Sequence, residues 1–305
     1  LQIYSLTSGR HGTFLYNRQD EFVGRSLELY GEWSEAEILL FRQLIEPGCV
    51  VVEAGSNIGA HTVWFSRAVG DRGRVIAYEP QRSVFQLLCA NLALNERFNV
   101  DARCEAIGRT DGHVEIPVMN PFTQFNFGSV SCHARGDVNE RVPLRTIDSL
   151  GLERLDFIKA DIEGYELEML HGARHTIERH RPVIFLEFLA QYGPGDISQE
   201  VCRQLGVLGY DCHYYLTPLF LNENHKGARD NLFPGGTSFD LLCTPREKFT
   251  VTGLSTAEGK TWQQSVEQGW CVPQVVRCEP VVPSVLVASL DSSGPVASQT
   301  SPLPG

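Results

Sequence analysis

A chain of 305 residues with 42% hydrophobic content can bury one large core or two modest ones and has ordinary globular composition. Its formal net charge of −11 argues against general binding to nucleic acid or anionic membranes, because both need basic faces. No apolar run approaches the roughly 18 residues of a membrane span. The 9 cysteines are scattered and lack a C-x-x-C pair, which fits reduced thiols in a cytoplasmic protein better than a zinc site.

The opening, LQIYSLTSGRHGTF, lacks the charged start, apolar core and cleavage site of a signal peptide, and also an initiator methionine. Residues 1–33 read as an N-terminal extension over the substrate side. From about residue 35 to residue 190 strand-like and helix-like stretches alternate, the pattern of a doubly wound α/β fold with a mostly parallel sheet. SEAEILLFRQLIE is the first helix, with Ser34 as N-cap, Glu37 completing a capping box and Pro47-Gly48 ending it. CVVVEA follows as a strand buried on both faces.

Ile58, Thr62, Phe65 and Val69 then recur at helical spacing. GRVIAYEP is the next strand, and SVFQLLCANLALN the next helix, with Ser83 and Gln86 as a second capping-box pattern. VDARCEAIG marks a third unit, LDFIKADIEGYELEMLHGA a fourth strand and helix, and PVIFLEFL a fifth strand. GYDCHYYL and SFDLLCTP predict an antiparallel hairpin at the C-terminal sheet edge. Residues 117–141, with Phe122, Phe125 and Phe127, form a loop-rich aromatic insertion. Residues 251–282 are a C-terminal appendage, and 283–305, rich in Pro, Ser and Gly, a tail without a core of its own.

The turn between the first strand and its helix, EAGSNIGAHT, carries the chemistry. A dinucleotide fingerprint needs glycines at its first, third and sixth positions. Starting from Gly55, this chain has Asn57 third and Ala60 sixth, and a side chain at the third position would meet a pyrophosphate. The phosphate-loop Gly-Lys-Ser/Thr ending is absent. Glu53, two residues before Gly55, suits a cationic ligand end such as an ammonium or sulfonium and repels phosphate. Glu79 ends the adjacent strand, where a carboxylate can accept both hydroxyls of a ribose. One acid for the amino-acid end and one for the ribose describe S-adenosylmethionine.

With these residues in place the chain resembles the FkbM family of S-adenosylmethionine-dependent methyltransferases, which have a class I, Rossmann-like fold. EAGSNIG resembles the family's acid-x-Gly-x-Asn-x-Gly signature, and YEP its ribose-binding strand end. AIG followed by Asp111-Gly112 resembles its third motif, and IKADIEGYELEMLHGA its most distinctive segment. The resemblance reaches over roughly residues 20–245, and a cofactor-binding domain over 34–250. It implies that Glu53, Gly55, Ser56, Asn57 and Gly59 hold the methionine end. It further implies Glu79, with Pro80 beside it, at the ribose, and Glu105 with Ala106 against the adenine. Asp161 then lies near the reactive methyl, with Glu163 after it, and these two are the candidate catalytic residues.

Helix capping competes for the acids at 161, 163 and 166; it accounts readily for Glu166 and poorly for Asp161, which ends a strand at the crevice. Glu187 is an acid in an apolar run, and buried acids are rare unless used or paired, so it is either a site residue or the partner of Lys159. His61 reads as a packing and cofactor-edge residue, and His133 as a more speculative base. No metal is expected, because Asp161 and Glu163 project differently and no histidine falls at a partner spacing. The expected reaction is in-line methyl transfer to a hydroxyl of a natural product or sugar, the alternative being a peptide or natural-product nitrogen. Two rivals from other classes are an NAD(P)-dependent oxidoreductase, opposed by Asn57 and Glu53, and a non-catalytic interaction protein that kept the fold. The expected partners are small-molecule or peptide substrates, not nucleic acid or membrane; a homodimer stays open.

Overall fold

The structure, a computed structural model, describes residues 2–188, 197–266 and 269–278. The tail at 283–305 lies outside the described residues. A hairpin of β1 (Tyr4–Gly9) and β2 (Gly12–Asn17) leads into α1 (Val23–Leu29) and α2 (Glu35–Phe41). Then come β3 (Val50–Ala54), α3 (Ala60–Val69), β4 (Arg74–Tyr78), α4 (Arg82–Leu94) and β5 (Val100–Arg103). Next are β6 (Ala106–Ile107), β7 (Gly112–Pro117) and β8 (Asn139–Arg145), a small separate sheet in the order β6-β8-β7.

The main sheet resumes with β9 (Phe157–Ala160), followed by α5 (Glu166–Gly172), α6 (Arg174–His180), β10 (Val183–Glu187) and α7 (Ile197–Val207). Long strands β11 (Tyr210–Pro218) and β12 (Thr237–Pro245) complete it. A short hairpin of β13 (Phe249–Thr252) and β14 (Gln274–Arg277), with α8 (Trp262–Val266) between them, lies in the appendage.

The seven-stranded sheet has the order β11-β12-β10-β9-β3-β4-β5. Strands β10, β9, β3, β4 and β5 pair in parallel, while β12 runs antiparallel to both β10 and β11. This is the α/β, mostly parallel sheet with an antiparallel C-terminal edge that the sequence predicts. The chain moves outward from β3 through β4 to β5, then returns to place β9 on the other side of β3. That reversal creates a switch-point crevice at the carboxyl ends of β3 and β9.

Apolar residues alternate between the two faces of the sheet, as period-2 side-chain geometry requires. Val51 packs on one side with Phe41, Phe65, Phe157 and Phe185. Val52 packs on the other with Ile76, Ile158, Met169 and Ile184. The ring of Phe41 lies 5.3, 5.4 and 4.9 Å from those of Phe65, Phe157 and Phe185, so α2 is fastened to the sheet by aromatic packing.

Neither predicted capping box forms. Ser34 takes a left-handed backbone conformation (φ 45°) and its side chain makes no cap bond, while Glu37 is buried. In α4 the flanking residue is Gln81, which places Ser83 inside the helix. The side-chain amide of Gln81 donates instead to the Phe127 carbonyl at 2.7 Å, tying the aromatic insertion to the end of β4. The unit at VDARCEAIG also divides: β5 joins the main sheet and β6 the small one.

Candidate active site

Strands β3 and β9 run side by side, and the Asp161 N–H donates to the Ala54 carbonyl at 3.0 Å. The turn after β3 therefore passes close under the end of β9. A Cβ at residue 55 would sit 1.8 Å from the Asp161 carbonyl oxygen, and φ there is +80°, so only glycine fits. The N–H groups of Gly55 and Ser56 both donate to the Tyr78 carbonyl at 2.9 Å. Asn57, at φ 50°, donates its N–H to Glu79 Oε2 at 3.0 Å, and the Gln81 N–H donates to Glu79 Oε1 at 2.9 Å. Glu79 thereby joins the glycine turn to the turn after β4, with a further lone pair free on each oxygen.

Glu53, Glu79 and Glu166 are buried here, and Asp161 and Glu163 half-buried. Glu53 is 1% exposed and accepts from Thr62 Oγ1 at 2.6 Å. Burial pushes its carboxyl up to about 7, against the pull of Lys159. Burial does the same to Glu79, up to about 7, against its two backbone donors. Glu163, in a left-handed conformation (φ 53°), is pushed up to about 8 by burial and then by the charges of Asp161 and Glu166. Glu166 accepts from the N–H groups of Ile162 and Gly164 at 3.4 and 3.1 Å, so it ties the turn before α5. The Asp161 carboxylate instead receives a bond from Lys159 Nζ at 3.3 Å.

A cleft of about 410 Å³ opens at the switch point, with Glu53, Gly55, Ser56, Asn57, Asp161 and Glu163 among its walls. An adjoining recess shares Gly55, Asn57, Asp161 and Glu163 and adds Glu79, Pro80, Glu105 and Ala106. Glu105 Oε2 is buried there without a hydrogen-bond partner. Of the residues singled out by sequence, Gly59 lines neither space. It lies behind the turn, where a Cβ would meet Leu88 Cδ1 at 2.7 Å. His133 is exposed, packs on Tyr165 at 4.7 Å and lines neither space.

Sequence reasoning missed part of the larger cleft's wall. Glu37 from α2, Trp33, and Phe239 from β12 line it, and so does His61. Burial pushes Glu37 up to about 7, with Lys159 pulling the other way. Lys159 itself is 3% exposed. Burial disfavours its charge, but Asp161, Glu37, Glu53 and Glu187 together outweigh that and hold it protonated. The expected pairing with Glu187 is thus one of several, and Asp161 is the stronger partner. An acid inside VIFLEF and a lysine inside FIKA were legible signals; Glu37 was hidden by its fit to a capping box. Among the described residues no group of three His, Cys, Asp or Glu side chains could hold a metal ion, and no helix is long and apolar enough to cross a membrane.

The mixed, mostly parallel sheet with antiparallel strands at its C-terminal edge is a class I methyltransferase-like fold. Residues 53–212, over half of the chain, match the family model described as the methyltransferase FkbM domain. The chain belongs to that family, and its cofactor is S-adenosyl-L-methionine. The matched span falls within the 20–245 reach of the motifs. Methyltransferase sdnD of Sordaria araneosa is 24% identical over 194 residues, covering 53% of this chain and 73% of that protein. Methyltransferase 1 of Beauveria bassiana (strain ARSEF 2860) is 26% identical over 144 residues, 40% of this chain and 57% of that protein. The solved structure of methyltransferase FkbM from Methylobacillus flagellatus KT is 21% identical with a TM-score of 0.43, covering 64% of this chain but only 43% of that one.

Proposed function

We propose that this chain binds S-adenosylmethionine across the two joined spaces and methylates a hydroxyl oxygen of a small natural-product or sugar molecule in the larger one. The observation that carries this reading is the placement of buried Glu79 and Glu53 on neighbouring strand ends, with Asp161 lining both spaces. The residues present fit the cofactor. Glu79 has a lone pair on each oxygen for a ribose hydroxyl, and the unpartnered Glu105 Oε2 fits an N–H of the adenine edge. Glu53 faces the ammonium end, and the backbone of Gly55, Ser56 and Asn57 lets the ligand approach closely.

The bound sulfonium supplies an activated methyl group and a neutral leaving group, so positioning accounts for much of the rate. Asp161 orients the acceptor hydroxyl and takes its proton. Lys159, held 3.3 Å from Asp161, aims that carboxylate. Glu163 is the second candidate for the proton. Phe22, Val23 and Trp33 reach the cleft from the N-terminal segment, which supports a covering role for residues 1–33. The odd, scattered cysteines support a cytoplasmic setting.

Incubation of the protein with S-adenosylmethionine and a cell extract, read by mass spectrometry, tests the reading. A product heavier by one methyl, carried on oxygen, is expected. A chain that binds the cofactor but transfers no methyl to any acceptor would be an interaction protein instead. Transfer to nitrogen is the second reading, favoured by the acid-rich wall of the larger cleft.

A further inference from the structure

The larger cleft carries more acid than its cofactor needs. Glu37, Glu53, Asp161, Glu163 and Glu187 line it, against Lys159 as the one Lys or Arg among its described lining residues. On the reading above, Glu53 serves the cofactor and Asp161 is bonded to Lys159. Glu37 and Glu187 also line the wall, from α2 and from the end of β10; both act on Lys159, and each already has one side-chain partner, Ser34 for Glu37 and Asp161 for Glu187, which leaves further lone pairs.

His61 provides a second and independent observation. It is 5% exposed and lines the cleft, yet its Nε2 has no hydrogen-bond partner. That nitrogen lies 4.0 Å from Glu37 Oε2. Burial first, and then the charge of Lys159, keep the ring neutral, while the backbone of Ser34 engages it. With Nε2 unpartnered, the ring's other nitrogen meets Ser34, and Nε2 presents a bare lone pair. Buried polar atoms are rarely left without a partner, so this lone pair suits a donor on a bound molecule.

We propose that Glu37, Glu187 and His61 Nε2 form an acceptor subsite for the protonated amine of a cationic substrate. All three are hydrogen-bond acceptors. A hydroxyl offers one donor, whereas an ammonium offers up to three and brings a positive charge that favours the ionised form of two carboxyls whose charge burial disfavours. The rings of Trp33, Phe188 and Phe239 on the same cleft supply the apolar wall that such a molecule's carbon frame needs. The substrate class is therefore an amine-bearing small molecule, whichever of its atoms receives the methyl. The subsite rests on the cofactor reading, because that reading assigns Glu53 elsewhere.

The test is a titration of the full chain, saturated with S-adenosylhomocysteine, with phenethylamine and with 2-phenylethanol. Saturation keeps the amine away from the cofactor's own ammonium position. The amine should bind about tenfold or more tighter than the alcohol, as a charge-assisted site requires. Glu37→Gln and Glu187→Gln should each remove most of that preference while leaving S-adenosylhomocysteine affinity unchanged. Equal binding of amine and alcohol, or a preference that survives in a folded variant of either residue, overturns the subsite. Failure of S-adenosylhomocysteine to bind would strike the cofactor reading alone. On the free chain, where Glu53 is also open to the amine, the Glu37→Gln and Glu187→Gln variants would then decide the subsite, and an amine preference that survives in both overturns it.

Discussion

Replacing Asp161 by asparagine removes one charge at the point where the two spaces meet. The Asp161 side chain is 31% exposed, and its Oδ2 lies 3.3 Å from Lys159 Nζ. At an effective dielectric near 20 that separation corresponds to a gross attraction of about 5 kcal/mol. Glu37, Glu53 and Glu187 still hold the lysine in the variant, and asparagine keeps an oxygen to accept its bond. Net stability should therefore fall by only about 1–2 kcal/mol. Helix capping adds nothing to this cost, because the turn N–H groups of Ile162 and Gly164 go to Glu166. Turnover should fall much further, by roughly 10²-fold or more, if Asp161 orients and deprotonates the acceptor. Cofactor affinity should barely move, since the glycine turn and Glu79 are untouched. Initial rates of S-adenosylhomocysteine release, with a calorimetric dissociation constant and a melting curve on the same preparation, separate these quantities. A folded Asp161→Asn protein with near-normal turnover would refute the role and shift it to Glu163.

Glu79→Gln should weaken S-adenosylhomocysteine binding by about 1–3 kcal/mol, through lost charge-assisted bonds and one backbone N–H left without its acceptor; an unchanged calorimetric constant for the folded variant would remove Glu79 from the site. Because Glu53 and Glu79 both lie near 7 in the free protein, above an unfolded value near 4.3, their ionised forms are disfavoured below that pH. Cofactor binding, which uses the ionised forms, should weaken as pH falls from 8 to 6. Through these groups the free protein's stability should run oppositely, declining as pH rises from about 4.5 through 7; titrations and melting curves across that range check both signs, and pH-independent binding would contradict the assignment. Gly55→Ala should leave little folded protein, because its Cβ would fall 1.8 Å from the Asp161 carbonyl oxygen; a soluble variant with wild-type melting would show that the turn can move.

Most of the sheet was legible because strands β3, β4, β9 and β10 are short apolar runs ending in Gly-, Pro- or acid-bearing turns. The acids lining the two spaces were legible for the same reason: Glu53, Glu79 and Asp161 stand at strand ends, and strand ends meet at the crevice. The wall of the larger cleft was not. Glu37 lies on a helix packed across the sheet and Phe239 on a strand far along the chain, and no local spacing relates them. Ser34 and Glu37 show how a local pattern misleads. Their spacing is that of a capping box, yet tertiary packing bends Ser34 to a positive φ and turns Glu37 inward. Asn91 lies inside the predicted helix SVFQLLCANLALN, and its side-chain amide donates to the Leu15 carbonyl at 3.0 Å and the Ile58 carbonyl at 2.8 Å. It thereby ties the unforeseen hairpin β1–β2 to the glycine turn.

The central claim is that the acids at the ends of β3 and β4 hold S-adenosylmethionine. Calorimetric titration of the wild-type chain with S-adenosylmethionine and, separately, with NAD tests it most directly. Saturable binding of S-adenosylmethionine, lost or strongly weakened in Glu79→Gln, with no heat from NAD, is the predicted result. Binding of NAD, or the same S-adenosylmethionine affinity in the wild type and the folded variant, would contradict the account.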